Sequence, residues 1–250
     1  MQQESGYPYI INIDTANRSN PIDGKIIMSN LCSEILQVQE PSVINGKQEY
    51  EVLGTDISCN LGSTNIVNLM DSPDFGKSVR AMTRALTFVT DASDIDVVPS
   101  IQNGNALNHT IGLGAMGLHT YFAKNQMEYG SPESLEFTDL YFMLLNYWTL
   151  VESNNIAKER GEVFHNFEKS AYADGSYFTD YITGDYQPKS DKIKALFDGV
   201  FIPSGEDWAA LAEAVKKDGL YHQNRLAVAP KWVLSLISMI QVRVSIQSHE

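Results

Sequence analysis

The pattern of apolar and polar positions changes character along the chain. Over residues 1–70, short apolar or β-branched runs such as Tyr9-Ile10-Ile11-Asn12-Ile13 and Glu51-Val52-Leu53 sit between turn clusters like Asn20-Pro21-Ile22-Asp23-Gly24 and Ile44-Asn45-Gly46-Lys47. That is a strand-and-loop texture. From about residue 74 to 97, Val79, Met82, Ala85, Leu86 and Val89 recur at steps of three and four. The spacing predicts one amphipathic helix, with Pro99 as its stop. Two more helices are predicted at roughly 110–127 and 132–160; the second carries a stripe of Leu140, Leu144, Tyr147 and Val151, and Gly161 suits its C-terminal cap. An aromatic, loop-rich stretch follows over 164–186, then a helix opened by Ser204-Gly205-Glu206-Asp207 and ending near Lys217. Strands and loops followed by helices predict an α/β chain, helix-rich and forming a portion of a barrel rather than a closed one.

Composition narrows the function. The 250 residues, 43% of them apolar, suffice for a packed core. Lysine plus arginine (18) against aspartate plus glutamate (31) gives 18 − 31 = −13, which argues against a nucleic-acid partner, since surfaces that track phosphates are basic. A small anionic substrate stays compatible, because backbone N–H groups and one or two local cations can hold phosphate. Met1-Gln2-Gln3-Glu4-Ser5-Gly6 lacks the basic and apolar regions of a secretion signal, and the most apolar stretch, Val233 to Ile246, is short and broken by Gln241 and Arg243. A cytoplasmic chain with no membrane anchor is expected. With two cysteines, Cys32 and Cys59, the chain cannot build a disulfide framework or a four-cysteine zinc site from its own residues. Its five histidines show no metal-site spacing, so no metal or cofactor site is expected here.

Two clusters carry candidate chemistry. Gly112-Leu113-Gly114-Ala115-Met116-Gly117 matches the dinucleotide fingerprint G-x-G-x-x-G. Such a turn follows a buried apolar strand, whereas Gln102-Asn103-Gly104-Asn105-Ala106-Leu107-Asn108-His109 is polar and turn-like. A dinucleotide-dependent oxidoreductase is therefore the remote alternative, and a helix packed through its small residues the expected one. In Ser29-Asn30-Leu31-Cys32-Ser33-Glu34 an amide, a thiol and a carboxyl recur every second residue. If extended, the stretch points all three the same way, presenting a hydrogen-atom abstractor or nucleophile (Cys32), a general acid or base (Glu34) and a neutral hydrogen-bonding group (Asn30) to one small molecule. Taken alone, such a cysteine is more often a buried apolar residue.

The surrounding motifs change that weighting. Asn17-Arg18-Ser19-Asn20-Pro21, Met28-Ser29-Asn30-Leu31-Cys32-Ser33-Glu34-Ile35, Thr55-Asp56-Ile57-Ser58-Cys59-Asn60-Leu61-Gly62-Ser63, Gln102-Asn103, the Gly112 to Gly117 run with Leu118-His119, and Arg225-Leu226-Ala227-Val228-Ala229-Pro230 follow one another in order. Together they resemble class I ribonucleotide reductase large subunits, most of all class Ib, over about residues 4–230. The cysteine separation, 59 − 32 = 27, agrees with the family's.

The resemblance implies a part of the family's ten-stranded α/β barrel and the reduction of ribonucleoside diphosphates to 2′-deoxyribonucleoside diphosphates. By it, Cys32 becomes a thiyl radical that takes the substrate's 3′ hydrogen, Glu34 removes the 3′-hydroxyl proton, Asn30 hydrogen-bonds the substrate, and Ser29 and Leu31 line it. Cys59 matches the second of two reducing cysteines that end as a disulfide. The implied partners are a small subunit whose metal site generates the radical and a thioredoxin- or glutaredoxin-like reductant. The Gly112 to Gly117 run becomes a barrel-packing helix.

Three features depart from the family. Its first reducing cysteine and first half-barrel, and its paired tyrosines and C-terminal cysteine pair, are not among these residues, so an upstream catalytic fragment or a full-length large subunit is an expected partner. After Ala229-Pro230 the family continues with a Gly-Ser-Ile-Ser-Tyr-like loop for the substrate diphosphate, whereas this chain reads Lys231-Trp232-Val233-Leu234-Ser235. Codons for Trp232 onward can be chosen so that a shifted frame reads Gly-Leu-Ile-Ser-Tyr-Ile-Asn-Asp-Ser. Residues 1–230 are therefore read as a partial catalytic barrel domain and 231–250 as a divergent, frameshifted tail. The alternative to catalysis is an inactive or split-gene fragment that acts only in assembly.

Overall fold

The computed structural model describes residues 2–58, 60–93 and 95–229. The first part holds little regular structure: helices α1 (Gln2–Ser5) and α2 (Ile13–Arg18), then an exposed antiparallel pair, β1 (Val43–Ile44) and β2 (Tyr50–Val52). Asn45 closes the turn between the two strands, its Oδ1 accepting from Lys47 N and Glu49 N, as asparagine does where the backbone lacks partners. The strand texture expected over residues 1–70 is thus realised mostly as loop, and Ile13 opens a helix instead of ending a strand.

The ordered core begins with β3 (Asn60–Asn65), followed by α3 (Ile66–Met70), α4 (Phe75–Ala92), α5 (Pro99–Asn108) and β4 (Ile111–Met116). β3 and β4 are parallel, in register from Asn60 opposite Ile111 to Asn65 opposite Met116. Next come α6 (Leu118–Lys124), α7 (Pro132–Arg160), α8 (Ala171–Asp174), α9 (Thr179–Thr183), α10 (Asp191–Leu196) and α11 (Gly205–Asp218), with single 3-10 turns on either side of α8. The chain then returns beside β4: Ile111 N donates to Asn224 O, Leu113 N to Arg225 O, and Ala227 N to Leu113 O, with Leu226 bridged in parallel to Leu113. The result is an arc of three parallel neighbours joined by helical crossovers, the repeating unit of an α/β barrel. Val79 and Leu86 of α4, Ile111 and Leu113 of β4, and Phe137, Tyr141 and Leu144 of α7 form the common core with Trp208 of α11.

The helices start where their caps dictate. Asp74 accepts from Lys77 N, Ser131 from Ser134 N ahead of Pro132, and Ser204 and Asp207 cap each other's backbone. Two expectations are corrected. Pro99 does not stop α4, which ends at Ala92; it opens α5, where its missing N–H costs nothing. The residues expected to be turn-like, 102–109, are largely helical.

The glycine run is not a helix. Gly112, Gly114 and Ala115 lie in β4, and the helix expected over 110–127 shrinks to α6. Side chains this small carry little periodicity of their own, so the pairing with β3 and with residues 224–227 decides the conformation. A Cβ on Gly114 would stand 2.3 Å from the Ala227 carbonyl oxygen, which gives this glycine a packing reason. No strand ends just before Gly112, because α5 precedes β4, and the dinucleotide alternative loses its structural basis.

Candidate active site

Asparagine and serine side chains build the cysteine loop. Asn17, in α2, donates from Nδ2 to the carbonyls of Ile13 (3.0 Å) and Ile26 (2.9 Å) and accepts from Ile26 N (2.9 Å), so the helix anchors the approach to the loop. Asn20 folds the next turn, accepting from Ile22 N and donating to the Ile22 and Gly24 carbonyls. An amide side chain can supply both halves of a missing backbone pairing. Further on, Ser29 Oγ donates to Ile35 O at 2.6 Å and Asn30 Oδ1 accepts from Ile35 N at 3.1 Å, pinching the loop at its neck. Ser33 N donates to Asn30 O at 3.0 Å, with Ser33 at φ 62°. Cys32 stands at the tip of this turn, exposed and free.

The extended geometry expected for residues 30–34 is therefore corrected. Asn30 spends its carbonyl oxygen on Ile35 N, and the left-handed Ser33 reverses the chain, so every-second-residue alternation does not apply. Leu31 is 80% exposed and Cys32 faces outward, whereas Glu34 turns inward: its Oε2 is buried without a hydrogen-bond partner among the described residues. Ser29 serves as the clasp of the neck. Cys59 lies outside the described residues. Near the tip, the Tyr7 and Tyr9 rings pair at 5.1 Å. The Tyr9 phenol is shifted above its ordinary value, first by its hydrogen bond with Tyr7 and their repulsion, then by desolvation and the Cys32 thiol.

Beyond the tip the chain runs onto the sheet. Ile35 and Gln37 are buried, and Asn224 Nδ2 donates to Leu36 O at 3.5 Å across 188 positions of sequence. Glu34 and Asn224 line a void of about 10 Å³ together with Ile35, Leu36, Ile111 and Leu226. Asn224 Oδ1, like Glu34 Oε2, is buried without a partner among the described residues. Asn224 is the site residue that sequence reasoning missed; its only signal was its place just before the Arg225 to Pro230 motif. A much larger cleft, about 930 Å³, lies between α7 and residues 177–189, floored by Asn146, Tyr177, Tyr181 and Leu226. None of Ser29 to Glu34 lines it.

An arc of parallel α/β barrel carrying a cysteine loop against its sheet agrees with a family model described as the ribonucleotide reductase barrel domain, which matches residues 1–248. This chain belongs to the ribonucleotide reductase barrel-domain family. The ribonucleoside-diphosphate reductase subunit alpha of Bacillus subtilis is 43% identical over 239 residues, 95% of this chain and 34% of that protein. The subunit of the same name in Mycoplasma pneumoniae is 44% identical over 241 residues, 94% of this chain and 33% of that protein. The chain thus spans about a third of the length of these curated relatives. The alpha subunit of the Actinobacillus ureae class Id ribonucleotide reductase superposes with a TM-score of 0.60 at 21% identity, over 94% of this chain and 35% of that one, which supports the shared fold. Among the described residues, no helix of this barrel segment is long and apolar enough to cross a membrane. The tail, residues 231–250, lies outside the described residues.

Proposed function

We propose that this chain supplies the hydrogen-abstracting loop of a ribonucleotide reductase catalytic subunit and that, in a complete assembly, it reduces ribonucleoside diphosphates to 2′-deoxyribonucleoside diphosphates. The observation that carries the reading is the loop itself: a thiol held at the tip of a pinned turn, with a carboxyl two residues on turned toward the sheet. Cys32 takes the 3′ hydrogen of the ribose as a thiyl radical and later returns it. Glu34 accepts the 3′-hydroxyl proton, the 2′-hydroxyl takes a proton from one of the two reducing thiols and leaves as water, and the amide NH2 of Asn30 binds the substrate. Cys59, with a cysteine from an upstream piece, supplies the two electrons and ends as a disulfide that a thioredoxin- or glutaredoxin-like protein reopens. The metal site of a separate small subunit supplies the radical. The remainder of the barrel shields the exposed Cys32, because an unshielded thiyl radical is lost to solvent and side reactions.

The test is a reconstituted assembly of this chain, an upstream large-subunit piece, the small subunit and a dithiol reductant. Cys32→Ser is expected to abolish deoxyribonucleotide formation, and turnover that survives the change removes Cys32 from the mechanism. The exposed apolar residues of the first segment, Ile10, Ile27, Met28 and Leu31 among them, favour a second reading as an assembly module without turnover. Binding of the upstream piece with no product from the unaltered chain would select it.

A further inference from the structure

Two residues that line one small void each bury an acceptor atom that has no hydrogen-bond partner among the described residues. Glu34 Oε2 and Asn224 Oδ1 are both buried, both lack a hydrogen-bond partner among the described residues, and both residues line the same void of about 10 Å³. The orientation of the Asn224 amide follows from its other contact: Leu36 O can only accept, so the amino side of the amide faces it at 3.5 Å and the carbonyl side faces away. An ionised carboxylate oxygen and an amide oxygen cannot satisfy each other, whereas one group between them that donates twice satisfies both. The space is about that of one water molecule, and a water is the neutral group that presents two hydrogens.

We propose that a single buried water donates one hydrogen to Glu34 Oε2 and the other to Asn224 Oδ1, and that Asn224 thereby acts as the positioning residue for Glu34. The inference rests on the reading of Glu34 as the proton acceptor only for its purpose; the water itself is read without turnover. Held in this way, one carboxylate oxygen stays against the strand of residues 224–227. The water ties the cysteine loop to the sheet.

A crystal structure of the full chain tests this directly. One ordered oxygen is expected within about 2.5–3.0 Å of both atoms; direct contact between the side chains, or two acceptors with no density between them, overturns the proposal. In solution, magnetic relaxation dispersion of water nuclei counts long-lived buried waters, and Asn224→Leu is expected to lose one relative to the unaltered chain. An unchanged count overturns the proposal. Should Asn224→Leu fail to fold, Asn224→Asp keeps both acceptors and is expected to retain the full count, and a lost water there also overturns it. None of these readouts involves nucleotide, so an inactive assembly with the water present would sink the reductase reading alone.

Discussion

Arg225 carries a guanidinium into the interior with no carboxylate to meet it among the described residues. Its Nη2 donates to Asn146 Oδ1 at 3.3 Å and to Tyr172 OH at 3.2 Å, and the group lies over the Tyr172 ring at 5.1 Å, but Nε and Nη1 find no partner among those residues. Neutral acceptors and a ring face compensate only part of the cost of removing a charge from water. Arg225→Met is therefore expected to leave stability unchanged or raise it, by up to about 1–4 kcal/mol, and a lowered melting temperature would show that the partial pairing outweighs desolvation. At this scale the sequence singles out a thiol and a carboxyl two residues apart, because residue type and order carry chemistry. Their orientation was not legible: nothing in Asn30-Leu31-Cys32-Ser33-Glu34 announces that Asn30 would cap Ile35 N or that Ser33 would adopt a positive φ. Asn224 was illegible as a site residue because its meeting with Glu34 exists only in three dimensions.

Elements with strong periods were read well. The stripe of Val79 and Leu86 became α4, and the long run from 132 to 160 became α7 with Gly161 left-handed at its end. α4 buries one face that repeats with the helical turn, whereas α7 is buried on every side from Met143 to Tyr147, as a helix at the centre of a core is. β4 is the opposite case, since its glycines are chosen by what lies next to them. Gly114→Ala would drive a methyl group to 2.3 Å from the Ala227 carbonyl oxygen, a backbone atom that cannot rotate away. We expect a loss of about 1–3 kcal/mol, read as a lower midpoint in denaturant titration. A midpoint equal to that of the unaltered chain would mean that the two strands separate more easily than their packing suggests.

The whole molecule stores a sensitivity to acid. His222 is fully buried where α4, α7 and the returning strand meet, with Thr87 Oγ1 at Nε2 and Ser153 Oγ at Nδ1, both at 2.9 Å. Burial holds its pKa well below the ordinary value, and Arg225, His109 and Arg160 add repulsion. Nearby, His109 stacks on Tyr221 at 4.0 Å and is also lowered by burial, against the opposing pull of Glu162 and Asp91. Both rings are neutral when folded and take up protons more readily when unfolded. Stability is therefore complete above about pH 6.5, the unfolded value, and falls as pH drops below it toward the folded values. Unfolding free energies measured between about pH 7 and 5 are expected to fall with acid. His222→Gln should flatten that slope, and an unchanged slope would assign it to other groups.

The hydrogen bond from Asn224 to Leu36 spans 188 positions, and this sets an order of events during synthesis. A ribosome delivers the cysteine loop 188 positions before the asparagine that ties it to the sheet, so the loop waits without that contact while the intervening residues are made. Contacts this distant form only after the intervening chain has collapsed. The docked form of the loop is thus withheld from the nascent chain until then, and a polypeptide broken off between residues 36 and 224 carries Cys32 but not the strand against which its loop is seated.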